Sequence, residues 1–151
     1  MAYKSFSGGY LIRDNKVLLV HHKKFNMWVP AGGHIEENET PDQALIREWK
    51  EEVGLDIAIL PAHESAFAGD SNETPIPMPF HLGLEREGFD VPRIGYYFYV
   101  ATISKEQGVK FQVSELFDAK WFSEEDLAEL ETFDQVRALA KYAIKHYPKI
   151  S

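Results

Sequence analysis

GHIEENETPDQALIREWKEEVGL (Gly33–Leu55) reads as a loop, one helix and a loop, with carboxylates massed on one side of the helix. Thr40 can serve as N-cap, Pro41 suits the first helical position, and Gln43 completes a capping box with Thr40. Gly54 closes the helix as a left-handed C-terminal residue. At about 100° per residue, Leu45, Ile46, Trp49 and Val53 share one arc, while Glu48, Glu51 and Glu52 share another. Arg47 lies at the edge of the acidic arc, placed to pair with Glu51 one turn on.

Three carboxylates on one patch repel each other, and Glu51 and Glu52 sit near the helix C-terminus, where the macrodipole disfavours anions. Such a patch suits a bound cation. Hard divalent ions take oxygen ligands, and Mg²⁺ typically combines one or two carboxylates with waters and substrate phosphates. On helix charge alone, a solvated acidic face remains the simpler account.

The spacing goes further. Gly33, then Glu39, then Arg47-Glu48, then Glu51-Glu52, Gly54 and Leu55 occupy fixed intervals that resemble the Nudix box, the signature of the Nudix hydrolase family. If each of seven fixed positions were filled by chance about one time in fifteen, the joint accident would be on the order of one in 10⁸. The departure is Trp49, where the family usually carries an aliphatic residue; that position faces the core, so packing rather than chemistry is affected. Trp28-Val29-Pro30-Ala31-Gly32-Gly33 looks like the family's strand leading into the box, and Trp121-Phe122 like its last core strand.

The resemblance implies an α+β fold, a Nudix-type α/β/α sandwich around a mixed β-sheet, over one domain spanning residues 1–151. It implies that Glu48, Glu51 and Glu52, with the Gly33 carbonyl, hold Mg²⁺ or Mn²⁺, and that Arg47 steadies the carboxylates. Glu39 is expected to be mainly structural, accepting hydrogen bonds from backbone or from Arg47. Glu115, six residues before Trp121, resembles the extra acid that many Nudix enzymes bring from outside the box, as a further ligand or a water-activating base. The implied reaction is hydrolysis of a nucleoside diphosphate linked to another moiety, by water attack on phosphorus. A Nudix-like domain that binds a nucleotide or a metal without cleavage is the alternative.

Around that stretch the chain is ordinary for one globular domain. Its 151 residues can bury about 68–70% of their unfolded surface. A formal charge of −8 argues against a general nucleic-acid or anionic-membrane binder. The expected partner is a small nucleotide-type diphosphate, with no nucleic acid polymer and no membrane, and the expected state is a monomer or homodimer. Acidity also opposes phosphate binding unless a divalent ion intervenes. The absence of cysteine excludes disulfides, zinc–thiolate sites and a cysteine nucleophile. MAYKSFSGGYLI lacks a signal-peptide layout, and no apolar run approaches membrane-spanning length, so the expected location is cytoplasmic.

Ser5 to Arg13 and Lys16 to His22 read as a hairpin about Asp14-Asn15, the second strand apolar on both faces. His21-His22-Lys23-Lys24 reads as a solvated loop or as a basic rim for phosphate. Leu55 to Leu60 reads as a strand, with His63 to Phe67 a possible partner. Ala68 to Pro92, with Pro75, Pro77, Pro79 and Pro92, reads as a long loop with at most a short edge strand. It supplies His81, Arg86 and Arg93 as candidate substrate contacts; Trp28, before the box, is a further candidate. Ile94 to Ser104 is the strongest strand, with Tyr96, Phe98 and Val100 on one face and Tyr97, Tyr99 and Ala101 on the other. Lys105 to Ser114 reads as a polar loop or hairpin, and Lys120 to Phe122 as a short strand. Ser123 caps a helix through Leu130, and Thr132 with Gln135 starts a last helix ending near Tyr147.

Overall fold

The computed structural model describes residues 2–86, 88–104 and 108–149. Strand β1 (Lys4–Arg13) turns through Asp14 and Asn15 into β2 (Lys16–His22). Both turn residues have positive φ, 52° and 59°, as a two-residue hairpin loop matched to the strand twist requires. Strands β3 (Met27–Val29) and β4 (Gly32–His34) lead into helix α1 (Pro41–Val53). Then come β5 (Ile57–Leu60), β6 (His81–Glu85), β7 (Arg93–Thr102) and β8 (Leu116–Phe122). Helices α2 (Glu124–Ala128) and α3 (Asp134–His146) complete the order.

The sheet is mixed. β1 and β7 run parallel over eight residue pairs, from Lys4 opposite Arg93 to Leu11 opposite Val100. The other pairings are antiparallel: β2 with β1, β3 and β8; β4 with β1; β5 and β6 with β7. Strand alternation divides the core into two layers. Leu18 and Val20 of β2, with Phe98 and Val100 of β7, pack on Leu45, Trp49 and Val53 of α1. Val17, Leu19, Tyr97 and Tyr99 face the opposite way, onto Leu127, Val136, Leu139, Ala140 and Ala143 of α2 and α3. This is the expected α/β/α sandwich, with the two faces of β7 divided as its alternation predicts.

Helix α1 starts and stops where its caps indicate. The Thr40 N–H donates to Gln43 Oε1 at 3.0 Å, and Gly54 takes the left-handed conformation at φ 70°. Its apolar arc differs in one member: Ile46 is 40% exposed, and Ala44 is buried in its place. Trp49 is fully buried, and its Nε1–H donates to the Ala31 carbonyl at 2.9 Å. The space for an indole comes from Gly9, where a Cβ would lie 2.8 Å from Trp49 Nε1. The departure at position 49 is thus accommodated across the layer.

Three expectations are corrected. Residues 63–67 form no strand; all are exposed, so no apolar burial offsets the ordering of a strand there. The chain re-enters the sheet only at β6. Thr132 does not cap the last helix: its hydroxyl donates to the Trp28 carbonyl at 2.5 Å, and Phe133 is the N-cap of α3. The Ser123-capped helix ends at Ala128, short of Leu130. Of the Lys105 to Ser114 loop, 105–107 lie outside the described residues, and 108–114 contain no strand.

Replacing Trp49 with Ala should lower unfolding free energy by about 3–5 kcal/mol, the cost of emptying a large core site. Chemical denaturation measures this; a loss below about 1 kcal/mol would mean that the indole is not the keystone of the α1 layer.

Candidate active site

The box loop and helix assemble around Arg47. Its guanidinium binds Glu39 in a bidentate fork, Nε to Oε2 at 2.7 Å and Nη2 to Oε1 at 3.0 Å. Nη1 donates to Glu48 Oε1 at 2.8 Å and to Glu51 Oε2 at 3.3 Å, and Nη2 also reaches the His34 carbonyl at 3.1 Å. The sequence indicates the contact to Glu51, yet the tightest pairing is with Glu39, which precedes the helix and also accepts the Glu36 N–H at 3.0 Å. These hydrogen bonds, Arg47 first, hold the Glu39 carboxyl below its ordinary range. One arginine therefore ties the loop to the helix and aligns two box acids.

The three box acids sit in different environments. Glu51 is exposed to solvent apart from Arg47. Glu48 is half-buried, and its carboxyl lies against the Gly33 backbone, where a Cβ would be 2.2 Å from Glu48 Cδ. Only glycine permits that approach. Burial raises the Glu48 pKa despite the opposing pull of Arg47. Glu52 is 2% exposed. Its Oε1 accepts the Gly32 N–H at 2.9 Å, and its Oε2 lies 3.8 Å from His22 Nε2. Burial pushes the Glu52 pKa up to about 8; the Gly32 N–H opposes this, and Glu48, Glu115 and Glu51 add to it.

Glu115 comes to this place through the loop that precedes β8. The N–H of Lys110 donates to the Val53 carbonyl at 2.9 Å, and that of Gln112 to the Glu52 carbonyl at 2.7 Å. These bonds satisfy carbonyls at the end of α1 that have no partner within the helix. They also fix the loop beside the acids. Ligand atoms of His22, Glu52 and Glu115 lie within 4.8 Å of one another. Glu48 and Glu51 fall outside this group, held on the Arg47 side.

Sequence reading included His22 only within the His21–Lys24 stretch, as a solvated loop or a basic rim for phosphate, and did not separate it from its neighbours. Strand alternation carries the signal: Leu18, Val20 and His22 are spaced two apart, and the first two face α1. His22 lies at the β2 end, next to a register shift in its pairing with β8. Burial lowers its pKa.

Beside the acids opens a cavity of about 370 Å³. Phe6, Phe25, Phe89 and Phe133 line it, with Val29, Pro30 and Val136. Its polar lining includes Glu85, Arg93, Tyr97, Gln135, His81 and Arg86, and it shares His22 and Gly32 with the acidic region. Arg93 is 9% exposed, its guanidinium between the rings of Phe6 and Phe89 at 3.8 and 4.0 Å, with Nε donating to Glu85 Oε1 at 2.6 Å. Glu85 Oε2 accepts from the Tyr97 hydroxyl and from Gln135 Nε2 at 3.2 Å. Arg93 is thus engaged in a pair with Glu85 rather than projecting as a free cation. Among the substrate candidates, His81, Arg86 and Arg93 reach the cavity. Trp28 does not line it: its ring stacks on His21 at 5.0 Å and meets Phe122 edge-on at 4.9 Å.

The donor set fits a hard divalent cation. Carboxylate oxygens dominate, and the buried Glu52 has one backbone donor and no positively charged partner within hydrogen-bond distance among the described residues.

A profile for the NUDIX domain matches residues 7–142. The chain is 27% identical to a solved NUDIX-family hydrolase from Clostridium perfringens, covering 96% of this chain and 98% of that one with a TM-score of 0.79. It is 32% identical over 109 residues to an RNA pyrophosphohydrolase of Psychromonas ingrahamii, covering 69% of this chain and 58% of that protein. It is 28% identical over 137 residues to an NAD-capped RNA hydrolase of Pseudomonas aeruginosa, covering 89% of this chain and 40% of that protein. The chain therefore spans less than two thirds of the length of these curated relatives. Among the described residues, no helix is long and apolar enough to cross a membrane.

Without metal, Glu52 sets a pH dependence of stability. Its folded pKa, about 8, lies above the ordinary carboxylate value, so the folded state keeps a proton that the unfolded chain releases. The contribution is fully present below about pH 4.5 and is lost as pH rises to about 8. The melting temperature of the chelated protein should fall across that window relative to Glu52→Gln. Parallel melting curves for the two proteins would contradict the assignment.

Proposed function

The chain belongs to the NUDIX domain family, matched over residues 7–142, and on that premise we propose that it hydrolyses a nucleoside diphosphate linked to another moiety. The single observation that carries this reading is the buried Glu52 carboxylate grouped with Glu115 and His22, with His22 also lining the adjoining aromatic cavity. We take residues 1–151 as one catalytic domain.

Phe25, Phe89 and Phe133 offer ring faces on which a nucleobase can lie. The diphosphate then runs past Gly32 and His22 toward the acids. Glu48, Glu51 and Glu52, with the Gly33 carbonyl, would hold Mg²⁺ or Mn²⁺; Glu115, grouped with Glu52, would join them or take a proton from the attacking water. A bound divalent ion would neutralise phosphate oxygens and make coordinated water more acidic. Arg47 holds Glu48 and Glu51 in register and keeps Glu39 on the loop. Water attacks one phosphorus, the P–O bond to the bridging oxygen breaks, and two phosphate-bearing fragments leave. Relatives named as an NAD-capped RNA hydrolase and an RNA pyrophosphohydrolase support this reading, in which the diphosphate bond defines the substrate class.

The test is nucleotide or phosphate release from a panel of diphosphates with Mg²⁺, Mn²⁺ or EDTA. Release should require metal. Glu52→Gln should cut turnover at least about 100-fold, the upper end of what lost outer-shell support costs a metal site, while keeping a folded circular dichroism spectrum. Full activity in Glu52→Gln would sink the proposal; metal binding without release across the panel would favour a binding domain.

A further inference from the structure

His22 belongs to both halves of the site, lining the cavity and lying among the acids. Proximity alone would make it a third metal ligand. Its proton count does not. The backbone N–H of Lys24 donates to His22 Nδ1 at 3.1 Å. A ring nitrogen that accepts a hydrogen bond carries no proton, and a neutral imidazole has a single N–H, which must then sit on Nε2. A protonated Nε2 has no lone pair to offer an ion.

What remains is a neutral donor aimed at the acids. Glu52 Oε2, at 3.8 Å, is too far for a hydrogen bond. Among the described residues Nε2 has no acceptor within hydrogen-bond distance. It therefore waits at the seam between the cavity and the carboxylates, where a diphosphate joining the two would have to pass.

We propose that His22 is a substrate-positioning residue whose Nε2–H donates to a phosphate oxygen of the diphosphate. This rests on the hydrolase reading of the same site. The neutral form suits the place. An imidazolium would pair with Glu52 and compete with the cation for that carboxylate, whereas a neutral N–H orients the phosphate and leaves Glu52 available. The Lys24 N–H selects the tautomer, so a backbone turn, Lys23-Lys24 after β2, fixes the direction of the donor.

The experiment uses untagged, ¹⁵N-labelled protein and methylenediphosphonate with Mg²⁺, a non-hydrolysable diphosphate that carries no nucleoside. Histidine ¹H–¹⁵N correlation spectra should assign the Nε2–H tautomer to His22 in the free protein, and the Nε2–H resonance should move downfield when the diphosphonate binds. His22→Leu should weaken diphosphonate binding about tenfold or more, the scale of a hydrogen bond to a charged group. His22→Gln, which can still donate, should recover most of that loss, and His21→Gln, whose ring stacks on Trp28, should change nothing. Mn²⁺ affinity should be the same in the wild type and both His22 variants.

An Nδ1–H tautomer, or an equal loss of Mn²⁺ affinity in both variants, would overturn the proposal in favour of ligation. Unchanged diphosphonate binding in His22→Leu, or no binding by the wild type, would overturn it too. Absence of turnover on every substrate with the binding pattern intact would remove the hydrolase reading alone. If His22→Leu does not fold, the wild-type tautomer and its shift on binding decide.

Discussion

A carboxylate with one backbone donor and almost no contact with water is unstable as an anion. That is the condition of Glu52, and much of the site follows from it. Its burial follows from the core: α1 docks through Leu45, Trp49 and Val53, and Glu52 is carried in beside Val53. The Gly32 N–H meets one oxygen, and the other faces His22 and Glu115. The folded protein must hold a proton there or receive a cation. Arg47 does not reach Glu52; its donors go to Glu39, Glu48, Glu51 and the His34 carbonyl. Among the box acids, the arrangement thus separates those paired with Arg47 from Glu52, which is not.

Much of the frame was legible in the sequence because it rests on local rules. The caps of α1, the turn at Asp14-Asn15 and the alternation along β2 and β7 each depend on neighbours within a few residues. The parallel pairing of β1 with β7 was not legible, since it joins segments about ninety residues apart by backbone bonds without a side-chain code. The expected strand at 63–67 failed for a related reason: its composition permits extended structure, but no partner surface buries it.

At the site, the box spacing singled out Glu48, Glu51 and Glu52 as candidates, and strand alternation could have indicated His22. The sequence could not show how differently the acids are buried, because that depends on Gly33 accepting the Glu48 carboxyl and on β4 covering Glu52. Nor could it show Arg93 held between two phenyl rings and paired with Glu85, which turns an apparent phosphate-binding cation into part of the cavity wall. Trp28 was a candidate ligand contact from the strand that leads into the box. In the fold its ring is occupied by His21 and Phe122.

The fit of Gly9 to Trp49 bears on how this chain can be compared with its kin. The two positions are forty residues apart, yet the Ala31 carbonyl accepts from both, from the Gly9 N–H at 3.0 Å and from the indole at 2.9 Å. An aliphatic residue at 49 would leave one lone pair of that oxygen unused and open a gap that a side chain at 9 could fill. Position 9 and position 49 are therefore packed as one unit. In an alignment, the residue opposite the box would be expected to grow as the box residue shrinks, and a graft of the helix without its strand would bring the wrong half of the pair.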